Sequence, residues 1–374
     1  PIGPLFPLFR PALACVAALG VVLAAARPSA AVVSVPPGYF AVNYATGLPR
    51  LTSLTFGPDS TLYATQYDGR IYALRDRDHN GAADTVITYT SGLTWPLGMT
   101  LHNGYVYVNS LGQVYRCRDF NGDHVADEKN LLITNLPTGR HWNTGVLVGP
   151  DGYLYVGLGS MKNLGLQPNP LCASILRYTL GGAFVDQFAR GFRNPYGMAF
   201  HSSGALFCTD NGPGPDSLQV CLEPPDELNW VQEHQHYGFP DCIGTAGLCA
   251  DVSAYCANPC SGNECEFDGG CVDSMMAPIR ELDPHSSSDG LCFGAGFPGY
   301  TGDDVFIAQY GQNEVVPYCF TNFGHRVVTV HLTQTAGQWS AGPAHTFATG
   351  IEHPLAVAVG PDHALYVTDF NTGN

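Results

Sequence analysis

The chain has 374 residues, among them 44 glycines and 28 prolines, and only 13% are charged. A composition so rich in turn formers argues against a long-helix bundle and suits many short strands. The formal net charge of -16 argues against nucleic acid and anionic membrane surfaces as partners and is compatible with bound calcium.

In chain order, the first feature is an apolar run, "PALACVAALGVVLAAA", preceded by Arg10 and followed by small residues in "RPSAA". It is short for a membrane span and has the layout of a cleaved signal peptide, expected over residues 1–31. Such a leader implies export, to the outside or to the periplasm of a bacterium, with no stable membrane span after cleavage. Of 13 cysteines, loss of Cys15 leaves 12, an even number that suggests disulfides in an oxidising compartment. No N-x-[ST] sequon is present.

From residue 38 onward one hairpin signature recurs: a turn, then an aliphatic, an aromatic and a small or β-branched residue. It occurs around Tyr63, Tyr107, Tyr155, Phe207, Phe306 and Tyr366. The turn "GPD" stands before three of these, at Gly57, Gly149 and Gly360. Successive aromatics lie 44, 48, 52, 99 and 60 residues apart. Alternating strands at periods of about 45 residues are what propeller blades need, and six occurrences predict an all-β, six-bladed β-propeller over 38–374. A β-sandwich with similar hairpins is the rival architecture. Only eight residues follow Tyr366, so the expectation is either that the C-terminus is missing or that "GYFAVNYAT", residues 38–46, completes the last blade and closes the ring.

Two acidic loops resemble each other. "DRDHNGAAD" offers side-chain oxygens from Asp76, Asp78, Asn80 and Asp84; "DFNGDHVAD" offers them from Asp119, Asn121, Asp123 and Asp127. Alternate oxygens on a tight turn are how a chain wraps calcium. A solvated Asp/Asn turn between blades is the equal alternative. The 99-residue gap holds a Cys-rich insertion, residues 241–275, expected between the fourth and fifth blades. Cys242, Cys249, Cys256, Cys260, Cys265 and Cys271 crowd there. They read as mutual disulfides, because zinc sites favour paired CxxC spacings that are missing here.

"HWNTGVLVGPDGYLYVGLGS" (141–160), "ARGFRNPYGMAFH" (189–201), "TDNGPGPDSLQVCLEPPDELNWVQEHQHYGFPDC" (209–242) and "DPHSSSDGLCFGAGFPGYTGDDVFIAQYGQNE" (283–314) together resemble the glucose/sorbosone dehydrogenase family. The resemblance implies a six-bladed propeller that binds pyrroloquinoline quinone and calcium. It implies oxidation of a small sugar, with an electron acceptor that the sequence does not name. By the same resemblance His141 falls at the general base, and Arg193 and Asn194 fall where side chains hold the quinone. Gly212 and Pro213 fall where backbone carbonyls hold calcium, and Arg326 falls where a lysine usually meets a cofactor carboxylate. The types suit the chemistry: an imidazole can take a hydroxyl proton near neutral pH, and a guanidinium can stabilise charge gathering on a quinone oxygen. Departures from the pattern are Ser160, where an acidic residue often orients the histidine, His353 in place of an arginine, and Arg326 in place of lysine. Two other classes are a non-catalytic extracellular binding propeller, similar to hedgehog-interacting proteins, and a calcium-dependent lactonase.

Overall fold

The computed structural model describes residues 33–163, 165, 167–213, 224–240, 243–244, 275–311 and 323–371. The expected leader and all six insertion cysteines lie outside the described residues. No helix among the described residues is long and apolar enough to cross a membrane.

Every named element is a strand. The first sheet comprises β1 (Leu51–Phe56), β2 (Leu62–Gln66), β3 (Arg70–Arg75) and β4 (Thr85–Thr90), each pairing with the next. The second comprises β5 (Met99–His102), β6 (Tyr105–Ser110), β7 (Gln113–Arg118) and β8 (Glu128–Ile133). The third has β9 (Asn143–Val148), β10 (Tyr153–Leu158), β11 (Ser174–Thr179) and β12 (Phe184–Arg190). The fourth has β13 (Pro195–Phe200), β14 (Leu206–Asp210), β15 (Asp226–Val231) and β16 (Arg280–Leu282). In the fifth, β17 (Ser288–Phe293) and β18 (Asp304–Gln309) lead to the long β19 (Arg326–Thr335). The far half of β19 pairs with β20 (Gln338–Ala341) and its near half with β21 (His345–Thr349). The last sheet is the hairpin β22 (Pro354–Val359) and β23 (Leu365–Asp369).

The first strands touch in a closed circle, β1–β5–β9–β13–β17–β22 and back to β1. Six apolar clusters fill the gaps between neighbouring sheets; one, for example, joins Tyr107 and Val114 of the second sheet to Val146 and Leu154 of the third. This is a propeller, as expected, but the described residues form five complete blades rather than six, and a two-stranded sheet takes the remaining place in the ring. Residues 38–46 form no strand; the nearby bridge runs from Ser34 to Thr349 of the fifth blade. The insertion is also relocated. Residues 241–275 fall between β15 and β16, so they interrupt the fourth blade rather than follow it. Cys117, Cys172, Cys208 and Cys292, the four described cysteines, are free thiols, three of them buried within the blades.

All six signature aromatics sit on the second strand of their sheet, which is why the repeat was periodic. The "GPD" turn has a packing reason. A Cβ at Gly149 would stand 2.5 Å from Asp151 Oδ1 and 2.7 Å from the Tyr155 ring, and one at Gly360 would meet Asp362 and Tyr366 at 2.5 and 2.6 Å. The tyrosine hydroxyls donate to those same aspartates, at 2.7 Å from Tyr155 and 2.9 Å from Tyr366. Each hairpin thus folds a ring over its own bare glycine, and only glycine leaves the room.

Candidate active site

The residues just before each first strand gather at one end of the inner ring. His141 precedes β9, and Arg193 and Asn194 precede β13. The His141 N–H donates to Ser160 O at 3.0 Å, and the Ser160 N–H donates to Arg193 O at 2.7 Å, so the two blade entrances are laced together. Gly159 lies between the side chains: a Cβ there would stand 2.4 Å from the His141 Cβ and 2.9 Å from Asn194 Oδ1. The structure therefore brings His141, Arg193 and Asn194 together.

The histidine's tautomer follows from its neighbours. His141 Nδ1 lies 3.1 Å from Ser160 Oγ, while that hydroxyl donates its single proton to Lys162 O at 2.7 Å. Ser160 can only accept from the ring, so Nδ1 carries the proton and Nε2 carries the lone pair. Burial, then the charges of Arg193 and Arg140, hold the imidazole well below its ordinary pKa, and the ring stays neutral at neutral pH. Ser160 thus orients the His141 ring, a task that the resemblance assigns to an acidic residue.

Arg193 is buried and fixed by three donations: Nε to Asn163 O at 3.3 Å, Nη2 to Asn163 Oδ1 at 2.6 Å and Nη1 to Asn211 O at 3.1 Å. The Asp210 carboxylate accepts the backbone N–H groups of both Arg193 and Asn194, at 2.9 and 2.6 Å. Asn194 Nδ2 donates to Asn211 Oδ1 at 2.7 Å, and Asn211 Nδ2 donates to Ser288 O at 2.9 Å. This chain of amides fixes Asn194 with its oxygen as the spare end. Asn194 Oδ1 is enclosed and has no hydrogen-bond partner among the described residues.

Gly212 and Pro213 line a cavity of about 10 Å³ with Arg193, Asp210, Asn211 and Glu227. That is room for one water-sized particle. Burial raises the pKa of Asp210 above the ordinary carboxylate range, against the backbone N–H groups that lower it. Burial and then the Asp210 charge raise Glu227 likewise. Asp226 braces this corner by accepting from Gly212 N at 2.9 Å, Ser288 N at 2.7 Å and Ser286 Oγ at 2.8 Å.

Arg326 hydrogen-bonds to none of His141, Arg193 and Asn194 among the described residues. Its Nε donates to Gln309 at 2.7 Å, its Nη1 donates to Thr346 Oγ1 at 3.2 Å, and its Nη2 forms an ion pair with Asp283. The resemblance singled out its place in the chain but not the carboxylate that meets it from the link between two sheets. His353 is buried at the start of the last sheet, its Nδ1 3.0 Å from Tyr310 O. Of the acidic loops, Asp76, Asp78 and Asp84 place carboxylate oxygens within 4.8 Å of one another. Those carboxylates already accept backbone N–H groups: Asp76 from Asn80 and Gly81, and Asp84 from Arg77. In the second loop Asp119 accepts from Asn121, Gly122 and His124 and acts as a turn brace.

Sequence reasoning missed Asp210, Asn211 and a set of aromatic residues at the same end of the ring. Tyr67, Tyr310 and Phe370 each directly follow a second strand, in "ATQY", "IAQY" and "VTDF". That shared register was the available signal.

A family model described as a domain of unknown function, DUF7133, matches residues 55–373. The chain belongs to the DUF7133 family. The DUF7133 chain is 24% identical over 251 residues to quinoprotein glucose dehydrogenase B of Acinetobacter calcoaceticus, covering 51% of this chain and 50% of the relative. It therefore spans about half the length of that curated relative. Among solved structures it superposes on a Trichoderma reesei enzyme of carbohydrate-active family AA12 (calcium structure) with a TM-score of 0.75 at 18% identity, covering 92% and 96% of the two chains. The holo PQQ domain of pyranose dehydrogenase from Coprinopsis cinerea gives 0.74 at 15% identity, covering 91% and 95%. The PQQ-bound aldose sugar dehydrogenase of Streptomyces coelicolor gives 0.65 at 19%, covering 91% and 92%. At these identities the superpositions show the DUF7133 fold, and the expected likeness to quinone-dependent sugar dehydrogenases is found in sequence and structure alike.

Proposed function

We propose that the chain is an exported oxidoreductase that oxidises a sugar hydroxyl with pyrroloquinoline quinone and calcium. One observation carries the reading: His141, its tautomer set so that Nε2 accepts, stands beside the Arg193–Asn194 pair across Gly159. The names of the curated relative and of two of the superposed enzymes support it.

The residues fit the groups that the reading requires. Asn194 Oδ1 is a buried acceptor with nothing to accept from, which suits a hydroxyl, a cofactor N–H or a cation. Gly212 and Pro213 line one small cavity with Asp210, Glu227 and Arg193, and its backbone and carboxyl oxygens are donors of the kind calcium takes. Arg193 and Asn194 would hold the quinone, and calcium would sit at Gly212 and Pro213; the Asp76 loop is a second calcium candidate. Bound there, the quinone would supply the acceptor for a hydride.

The chain's own contribution is position and protonation. As hydride leaves the hydroxyl-bearing carbon, His141 Nε2 takes the hydroxyl proton, and the C–O single bond becomes a carbonyl. Ser160 and Lys162 O keep the ring from turning its N–H to the substrate. Arg193, locked by Asn163 and Asn211, gives the site a fixed positive charge that does not have to reorganise. The test is reconstitution of the chain with calcium and pyrroloquinoline quinone, followed by dye reduction with a panel of aldoses. His141→Ala should lower turnover by about 10²- to 10⁴-fold and leave quinone binding nearly unchanged. Full activity in that variant, or no quinone binding by the wild type, overturns the proposal.

A further inference from the structure

At the end of the ring opposite His141, a cleft opens between the third and fourth blades. His141 precedes β9, whereas Pro150 and Asp151, which line the cleft, follow that strand; Ser203 and Gly204 likewise follow β13. Strands of six residues are about 20 Å long, so cleft and base stand at different ends of the inner strands. The cleft measures about 430 Å³, within the range of small-molecule sites. Tyr155, Phe188, Phe200, Trp230 and Trp339 form its aromatic wall, the last of them reaching over from β20 of the fifth blade. We propose that this cleft binds a small organic cation with an apolar body, of the aryl-alkyl quaternary ammonium class. The inference does not depend on the redox reading of the other end.

Charge decides the sign of the occupant. The charged residues that line the cleft are Asp151 and Glu233, and no Lys or Arg lines it. Beside it Arg177 donates to Asp186 from Nε at 3.0 Å and from Nη2 at 2.5 Å, and the same Nη2 pairs with Glu233 Oε1. Three carboxylates against one guanidinium leave a surplus of two negative charges at the lip, with His234 neutral. The protein already lays a cation on these rings: the Arg177 guanidinium carbon lies 5.2 Å from the Phe188 centroid and 5.4 Å from that of Tyr153. Aromatic faces attract cations at such distances. Arg177 is tied down by its two carboxylates, and Trp230, half-buried, meets no ring or cation among the described residues. Its indole is therefore the open face of the wall.

Other occupants fit less of the site. An anion would meet Asp151, Glu233 and a chain whose net charge is -16. A bare divalent ion has no use for five rings. Asp186, Glu233 and His234 do place ligand atoms within 4.8 Å of one another, but Arg177 already occupies both carboxylates. A neutral apolar molecule would fill the wall and leave the acidic lip unused. A quaternary ammonium brings methyl groups that carry the positive charge, so it can lie on indole without losing hydrogen bonds to water, while its aryl or alkyl body covers Phe188 and Phe200.

The test is isothermal titration calorimetry of the purified chain with benzyltrimethylammonium, neutral benzyl alcohol and benzoate. Saturable binding of the ammonium is expected, with benzyl alcohol at least about tenfold weaker and benzoate not bound. Trp230→Ala should weaken the ammonium by about tenfold, and Trp230→Phe, which keeps a ring, by less. Glu233→Gln changes an exposed side chain, spares the wall, and should also weaken binding, the more so at low salt. Trp95, which is exposed and 5.6 Å from the Trp142 beside His141, supplies the control for the other end of the ring: Trp95→Ala should bind the ammonium as the wild type does. Equal affinity for the ammonium and benzyl alcohol overturns the proposal. So does an unchanged Kd in both Glu233→Gln and Trp230→Phe, or a loss of binding in Trp95→Ala.

Discussion

Gly159→Ala isolates the geometry of the base. Gly159 has no left-handed φ, so alanine suits its backbone and the effect of the new methyl is purely local. That methyl would stand 2.4 Å from the His141 Cβ, where ordinary contact begins at 3.4 Å, and 2.9 Å from Asn194 Oδ1. His141 has to move by about 1 Å, because the opposite side is closed by the amide chain that holds Asn194. A shift of that size in a reacting group costs about 10²-fold in rate. Overpacking of this kind costs roughly 1–3 kcal/mol of stability. The assay is kcat/KM for aldose-dependent dye reduction, with quinone affinity and Tm measured alongside. Gly302→Ala is the matched control, since a methyl there meets only the Ala295 Cβ at 3.9 Å. Wild-type turnover and Tm in Gly159→Ala would refute the close approach of His141 and Asn194.

The remaining predictions concern charge and calcium. Arg140→Gln removes one of the two positive charges that depress the His141 pKa, so the acid limb of the kcat/KM profile should move to higher pH, towards the ordinary imidazole range; an unmoved limb assigns it to another group. The same shift has a stability sign. Neutral His141 contributes fully above the unfolded imidazole value near 6.5, and that contribution falls away as pH drops towards the lower folded value. Urea midpoints between pH 7 and pH 4 should therefore decline less in Arg140→Gln. Asp76→Ala should lower Tm more in calcium than in chelator, whereas Asp119→Ala, which removes a turn brace, should lower it equally in both. Equal losses for Asp76→Ala would leave that loop a plain turn.

The propeller was legible because each sheet carries an aromatic on its second strand, and in three of them that ring folds over the bare glycine of a "GPD" turn, as Tyr155 and Tyr366 do. The completeness of the last blade was not legible, since the hairpin around Tyr366 looks alike with two strands or four. The place of the insertion was lost for a related reason. A 99-residue spacing between Phe207 and Phe306 says that residues were added, not between which strands. At the site, His141, Arg193 and Asn194 were readable because each lies in a contiguous motif. Arg326 lies outside those motifs, and its ion pair with Asp283, in the link between the fourth and fifth sheets, was not readable in the sequence. The aromatic set stayed hidden because Tyr67, Tyr310 and Phe370 follow strands of three different sheets and each looks like an ordinary turn residue alone.

The Ser160 bridge has a consequence for how protons leave. A histidine backed by a carboxylate has a fixed negative charge to steady the imidazolium formed when it takes a proton. His141 is backed instead by a neutral hydroxyl whose own hydrogen is committed to Lys162 O, and its nearest charges, those of Arg193 and Arg140, are positive. On the proposed reading, its acidic form would be strongly inclined to hand the proton on. His141 is only half-buried, so the proton would pass outward to solvent rather than to a store inside the protein.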